Sequence, residues 1–168
     1  LLWVRAHEPE VFQQVAHVLL PKDYLRYRMT GELVSDLSDS SGTYWLDVGK
    51  RAWSDAMLAA TGLGRDNMPA LVEGCEVGGH LRAGLARDWG MGSVPVAGGG
   101  GDNAAAAVGV GASARGQGFL SLGTSGVLFV ASDAYQPDPD RGVHTFCHAL
   151  PGTRSEEHTS ELQSPSAI

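Results

Sequence analysis

The sequence has few of the features that mark secreted, membrane or nucleic-acid-binding proteins. Two cysteines among 168 residues do not form a disulfide framework, which favours a reducing compartment. No apolar run approaches the roughly 18 residues of a membrane helix, and the first residues do not resemble a signal peptide. The net charge of −7 argues against a nucleic-acid partner. These absences predict a cytoplasmic protein with neither a nucleic-acid nor a membrane partner.

Glycine, by contrast, is abundant and unevenly distributed. The 23 glycines are nearly twice the share of about 7% that is usual in proteins. Many fall between residues 98 and 126, where four consecutive glycines lead into Asp102. Glycine lets a backbone approach other groups closely, so this region is predicted to contain a binding site.

Apolar spacing and capping residues predict helices first and strands later, which gives an α/β protein. Residues 8–20 have apolar side chains at helical spacing, and further helices are bounded by Pro21, Gly31, Ser54 and Gly62. A strand followed by a helix is predicted for "VPVAGGGGDNAAAAVGVGA". A hairpin is predicted for "QGFLSLGTSGVLFVAS", and a last strand for "VHTFCHALP".

Asp102 lies between a predicted short strand and a predicted helix, directly after the glycine run that joins them. A carboxylate beside bare backbone suits a general base that takes a proton from a bound hydroxyl. Aspartate is also a favoured helix N-cap, a role that would use the same oxygens. Four glycines are more than a plain cap requires, which favours the catalytic role without excluding the cap.

A second glycine-containing segment, "SLGTSG", lies at the predicted hairpin turn. The backbone N–H groups near Gly123 and the hydroxyls of Thr124 and Ser125 could together hold phosphate oxygens. Glycine and serine are also common in hairpin turns that bind nothing. Neither a Walker motif nor the dinucleotide fingerprint is present, so the turn alone is a weak indication.

No metal site is predicted. "HTFCH" brings His144, Cys147 and His148 together, but a zinc site needs four ligands, and a buried cysteine in a strand explains the pattern better. Asp36 and Asp39 lack a third acid at the spacing of a metal-binding loop. We therefore interpret these two aspartates as helix caps or turn residues.

The last residues differ in composition from the rest. Residues 154–165, "RSEEHTSELQSP", resemble the conceptual translation of a sequencing adapter. Residues 154–168 are therefore predicted to be an artefactual, disordered tail that makes no packed contact with the rest of the chain.

Five blocks, taken in order, resemble the bacterial xylulokinases of the FGGY carbohydrate kinase family: "VLLPKDYLRYRMTGE", "SDLSDSSGTYWLDV", "VAGGGGDNAAAAVGVG", "LSLGTSGV" and "HTFCHALP". The resemblance implies a fragment of a two-domain, ribonuclease H-like, actin-like ATPase fold. Residues 1–115 would be the end of the N-terminal, sugar-binding domain. Residues 116–153 would begin the C-terminal, ATP-binding domain.

The resemblance also implies roles for individual residues. Asp102 matches the family's catalytic proton acceptor, and Asn103 matches a residue that holds the sugar. Thr124, with Gly123 and Ser125, matches the second phosphate loop. The implied reaction uses ATP and Mg²⁺ to convert D-xylulose to D-xylulose 5-phosphate, and the family allows a homodimer of the full-length protein.

Several family features are missing from this chain, above all the first phosphate loop and the adenosine-binding glycines. We therefore expect the chain to be an internal piece that is inactive alone. Two alternatives stay open: another kinase of the family, acting on glycerol, gluconate or ribulose, or an actin-like fragment that binds without turnover. A small hydrolase is disfavoured because the sequence offers no matching nucleophile or metal set.

Overall fold

The computed structural model describes residues 1–123 and 125–161, in which helices precede a larger sheet. The α-helices are α1 Leu2–His7, α2 Pro9–Gln13, α3 Pro21–Thr30, α4 Leu37–Ser40, α5 Asp55–Thr61, α6 Ala83–Asp88 and α7 Asp102–Val110. The strands are β1 Val34–Asp36, β2 Leu46–Asp47, β3 Ala52–Trp53, β4 Ala70–Val72, β5 Val77–His80, β6 Pro95–Ala97, β7 Gly118–Leu122, β8 Ser125–Ser132, β9 His144–Cys147 and β10 Arg154–Glu161.

The strands form three small pairs and one larger sheet. Strands β1 and β4 pair in parallel, whereas β2 pairs with β3 and β5 with β6 in antiparallel fashion. The larger sheet has the order β7-β8-β10-β9, and its described pairs are antiparallel. This mixture of helices and sheets confirms the predicted α/β class.

Local sequence signals explain several element boundaries. Pro21 occupies the first turn of α3, where its missing N–H costs nothing, and Gly31 ends the helix with a left-handed φ of 93°. The Ser54 side chain caps α5 by accepting a hydrogen bond from the Met57 N–H, and Gly62 ends that helix. These helices confirm the predictions made from the same residues.

The helix predicted to continue to residue 20 is wrong beyond Gln13, where α2 ends. The Asn67 side-chain amide donates to the carbonyl oxygens of Val15 and Ala16, at 3.1 Å each. The Val18 N–H in turn donates to the Asn67 carbonyl oxygen at 2.9 Å. A tertiary contact therefore takes the backbone groups that a longer helix would have used.

Two apolar clusters hold these elements together. The first contains Leu37, Leu46, Trp53, Leu58, Leu63 and Cys147, so it joins the helical part to β9. The second contains Ala107, Ala112, Phe129 and Ala131 and packs α7 against the larger sheet. In the part of the chain that the structure describes, no helix has the length and apolar character needed to cross a bilayer.

The prediction that residues 154–161 are disordered and unpacked is wrong, whereas their origin as an artefact stays a prediction. Strand β10 pairs with β8 along its whole length and with β9 through Arg154, Ser155, Glu156 and Glu157. The side chain of Ser155 is fully buried. The segment is polar, yet its backbone satisfies two neighbouring strands at once, which composition does not reveal. Residues 162–168 lie outside the described residues.

Removal of β10 is expected to lower the thermal unfolding midpoint by several degrees, because it exposes the facing edges of β8 and β9. The comparison is between chains that end at residue 153 and at residue 161, since both lack residues 162–168. Circular dichroism against temperature measures the difference. Equal midpoints would show that β10 contributes nothing to stability.

Candidate active site

Asp102 is the first residue of α7, one position inside the N-cap of that helix. Gly101 is the N-cap residue, and no side-chain cap hydrogen bond is formed. One carboxylate oxygen of Asp102 accepts a hydrogen bond from the Asn103 N–H at 2.7 Å, and the residue is exposed. Asp102 is therefore not the N-cap residue, although its carboxylate satisfies one free N–H group at the start of the helix, and the exposed carboxylate is accessible to a ligand.

The glycine run before Asp102 packs closely against the chain itself. A Cβ at Gly98 would lie 2.5 Å from the Glu73 carbonyl oxygen, a distance that packed atoms do not tolerate. Gly99 has a φ of 81°, which favours glycine. The run was predicted to make room for a ligand, but at these two positions the chain's own packing and backbone conformation already require glycine.

A cavity of about 240 Å³ opens beside Asp102. It is lined by residues from α4, α7, β9 and β10 and from the turns next to them: Ser38, Asp39, Gly42, Gly101, Asp102, Asn103, Ala104, His144, Phe146, Cys147, Glu157 and Thr159. The structure thus brings Asp102 and Asn103 together in one concave site, as a binding pocket requires.

The predicted phosphate-binding turn is not part of that cavity in the described residues. Strands β7 and β8 form the predicted hairpin, with Leu122 opposite Gly126. Gly123 lies between these strands but is not among the residues that line the cavity. Thr124 and the side chain of Ser125 lie outside the described residues, so the turn's role as a phosphate loop stays a prediction.

Asn103 is held by an acid that the sequence did not point to. Its side-chain amide donates to a Glu157 carboxylate oxygen at 3.0 Å, and the Ser155 hydroxyl donates to the other oxygen at 3.1 Å. Burial, together with the negative charge of Asp102, raises the pKa of Glu157 despite these hydrogen bonds. Sequence reasoning missed Glu157 because it lies in the segment that had been set aside as a tail.

A group of charged residues adjoins the cavity. Within this group Asp23 and Asp36 are buried, and Lys22 and Asp39 are partly exposed. Lys22 Nζ lies 2.6 Å from Asp23 Oδ1, 2.5 Å from Asp36 Oδ1 and 3.4 Å from Asp39 Oδ2. Burial alone would lower the pKa of Lys22, but bonding and attraction to Asp23 and Asp36 outweigh it, so the pKa is raised. Burial raises the pKa of Asp39.

Asp36 caps α4, as predicted, by accepting hydrogen bonds from the backbone N–H groups of Ser38 and Asp39. Its carboxylate is fully buried. The cap explains the position of Asp36 in the sequence, whereas its ion pair with Lys22 depends on the packing of α3 against β1. The sequence therefore predicted the helix cap formed by Asp36 but not its ion pair with Lys22.

The cluster around Cys147 is a packing feature. Cys147 is buried in β9, and burial raises the pKa of its thiol. His148 is also buried, and its ring nitrogens contact the Ala112 carbonyl oxygen at 3.2 Å and the Leu150 N–H at 3.1 Å. Burial lowers the pKa of His148. These observations confirm the interpretation of "HTFCH" as a strand with a buried cysteine.

No group of three or more His, Cys, Asp or Glu residues within residues 1–123 and 125–161 is arranged to hold a metal ion. What the cavity offers a ligand is an accessible carboxylate at the start of a helix, a neighbouring amide and a partly apolar wall. Such a site can bind a small polar molecule and accept a proton from it.

Comparisons with known proteins identify a family and several similar sequences. The family model described as "FGGY family of carbohydrate kinases, N-terminal domain" matches residues 1–109. The xylulose kinase of Escherichia coli (strain K12) is 62% identical over 151 residues, which are 90% of this chain and 31% of that protein. The xylulose kinase of Klebsiella pneumoniae is 60% identical over 152 residues, which are 90% of this chain and 32% of that protein.

A solved structure extends the agreement to the fold. The crystal structure of a "xyloylose kinase" from Brucella ovis superposes with a TM-score of 0.92 at 57% identity, and covers 94% of this chain and 33% of that one. The chain thus spans about a third of the length of these relatives. The family model ends at residue 109, and the domain boundary near residue 115 stays a prediction. The matched sequence and the shared fold place the chain in the FGGY family of carbohydrate kinases.

Proposed function

We propose that the whole protein transfers the γ-phosphoryl group of ATP to D-xylulose and so produces D-xylulose 5-phosphate. The observation that carries the proposal is the exposed carboxylate of Asp102, which lines a cavity at the start of its helix. The choice of sugar rests on the xylulose kinases that match 90% of the chain at 60% identity or more. We also propose that the protein acts in the cytoplasm.

In this proposal Asp102 accepts the proton of the attacking sugar hydroxyl. The O–H bond breaks toward the carboxylate as the new O–P bond forms and the bond to ADP breaks. Asn103, the neighbour of Asp102 in the cavity, holds the sugar. Gly123, Thr124 and Ser125 bind phosphate oxygens, a role supported by their match to the family's second phosphate loop. Mg²⁺ arrives with ATP and offsets the charge of its phosphates.

Two observations support the expectation that residues 1–168 do not turn over alone. The chain spans about a third of its relatives' length, so most of a two-domain cleft is contributed by other segments. In addition, the amide of Asn103 is bonded to Glu157 and is not free for a sugar. An actin-like fragment that binds a ligand without turnover would also show no activity, so an assay of the fragment alone does not distinguish the two hypotheses.

A chimera tests the proposal. Residues 1–153 replace the matching segment of the Escherichia coli xylulose kinase, so that the missing parts of both domains are restored. Xylulose-dependent release of ADP is the expected result, with weaker turnover of glycerol, gluconate and ribulose. Residues 1–168 alone are the control and are expected to release no ADP. A folded chimera that prefers another of these substrates would contradict the assignment of D-xylulose.

A further inference from the structure

We propose that a buried ion-pair network holds both ends of the glycine run and thereby positions Asp102, with Ser38 as the residue that makes the last contact. The network consists of Lys22, Asp23, Arg26, Asp36 and Ser38. The inference rests on the proposed function, in which Asp102 is the proton acceptor. Ser38 is a positioning residue in this scheme and acts through the backbone of Gly101.

The C-terminal end of the run is held by Ser38. Its hydroxyl accepts a hydrogen bond from the Gly101 N–H at 3.0 Å. The same hydroxyl donates its proton to Asp36 Oδ2 at 2.5 Å, so its orientation is fixed by a charged, fully buried acceptor. Gly101 is the residue before Asp102, and its φ and ψ set the direction in which α7 begins.

The N-terminal end of the run is held by Arg26. Its Nη1 donates to the carbonyl oxygens of Ala97 and Gly98, the first of these at 3.3 Å. Its Nη2 donates to Asp23 Oδ1 at 2.5 Å and to the Val34 carbonyl oxygen at 2.7 Å. A planar guanidinium can make such a set of contacts without bending, whereas a lysine cannot.

The two holding points are connected through Lys22. Its ammonium lies within 2.6 Å of Asp23 and within 2.5 Å of Asp36, and both carboxylates are fully buried. Buried ion pairs are costly to form, so their value is in fixing geometry more than in adding stability. Here the geometry that they fix is that of the two ends of residues 98–101. Between those ends the Gly98 and Gly99 N–H groups donate to backbone carbonyl oxygens at 2.8 and 2.9 Å.

The consequence for the reaction is a precise location of the carboxylate. A glycine run is flexible unless it is tied, and a misplacement of a reacting group by about 1 Å can cost on the order of 10²-fold in rate. Loss of the Ser38 contact frees the Gly101 N–H, and the start of α7 with it. The binding of the sugar depends on many other contacts, so it should suffer less than the proton transfer.

The chain offers a closely matched control. Ser40 lies in α4 with Ser38, is fully buried, and bonds to the Ser35 hydroxyl at 2.8 Å. Within the described residues it makes no hydrogen bond to the glycine run. Ser38→Ala and Ser40→Ala therefore each remove one buried hydroxyl from the same helix.

In the chimera, Ser38→Ala is expected to lower kcat roughly tenfold or more with little change in the KM for xylulose. Ser40→Ala should keep kcat within about twofold, and Ser38→Thr, which keeps the hydroxyl, should restore most of the lost rate. Equal kcat values for the two alanine variants would overturn the proposal. A raised KM at unchanged kcat would overturn it too, because it would show a direct contact between Ser38 and substrate.

Hydrogen–deuterium exchange of the peptide that contains Gly101 supplies a readout that needs no turnover. Ser38→Ala should speed exchange there and Ser40→Ala should not. An unaltered chimera without kinase activity would refute the proposed function, while the exchange data would still decide whether Ser38 holds the glycine run. Unchanged exchange in Ser38→Ala would refute that holding role.

Discussion

Asp102→Asn in the chimera is expected to lower kcat by on the order of 10²- to 10⁴-fold, the usual contribution of a general base. Asparagine keeps the shape of the side chain and can still accept the hydrogen bond from the Asn103 N–H, but it cannot take a proton. The KM for xylulose should therefore change much less than kcat. Steady-state release of ADP at several xylulose concentrations separates the two quantities.

Asp55→Asn is the matched control. Asp55 is the first residue of α5, as Asp102 is of α7, and it pairs with Arg65 on the surface at 2.5 Å. The same substitution there should leave kcat unchanged and cost little stability, because exposed ion pairs contribute little. Near-normal turnover of Asp102→Asn would remove Asp102 from the reaction and leave it as a helix-terminal acid.

Arg26→Met is expected to destabilise the chain by roughly 3–5 kcal/mol, because it takes one of two cationic partners from the buried Asp23 carboxylate and a donor from several backbone carbonyls. Asp23 would keep Lys22 and the Ser35 hydroxyl, but three carbonyl oxygens would lose their donor. Methionine fills similar space, so the loss reports the polar contacts more than a cavity. Thermal unfolding of the chain measures the effect.

Arg82→Met is the control for this variant. Arg82 stands just before α6, is exposed and donates to the Tyr27 carbonyl oxygen of α3 at 3.2 Å. Arg82→Met therefore removes an arginine that contacts the same helix without touching the buried network. Its cost should stay near 1 kcal/mol or below. Should Arg26→Met fail to fold, Arg26→Lys keeps the charge and should fall between the two. Equal losses for Arg26→Met and Arg82→Met would contradict the prediction.

The sequence predicted those parts of the fold that depend on neighbours along the chain. Pro21, Gly31, Ser54 and Gly62 act within one helical turn, and α3 and α5 begin and end where these residues stand. The helix predicted beyond Gln13 failed because Asn67, far along the chain, takes its backbone groups. Propensity carries no information about such a partner.

In the candidate site, too, the sequence predicted features set by neighbouring residues and missed those set by distant ones. The position of Asp102 was evident from the glycine run, but the Glu73 carbonyl oxygen that forbids a side chain at Gly98 is 25 positions away in the sequence. Glu157 was missed for a related reason. Its segment is polar and looks unstructured, and only the two strands beside it turn its backbone into part of the sheet.

The order β7-β8-β10-β9 also has a consequence for folding during synthesis. Strand β9 is made before β10, yet β10 lies between β9 and β8. The two earlier strands therefore cannot complete the sheet until residue 161 has left the ribosome, and the edge of β8 stays open meanwhile. Nascent chains with an open edge are prone to pair with one another, so slow translation near the end of this segment would favour aggregation over folding.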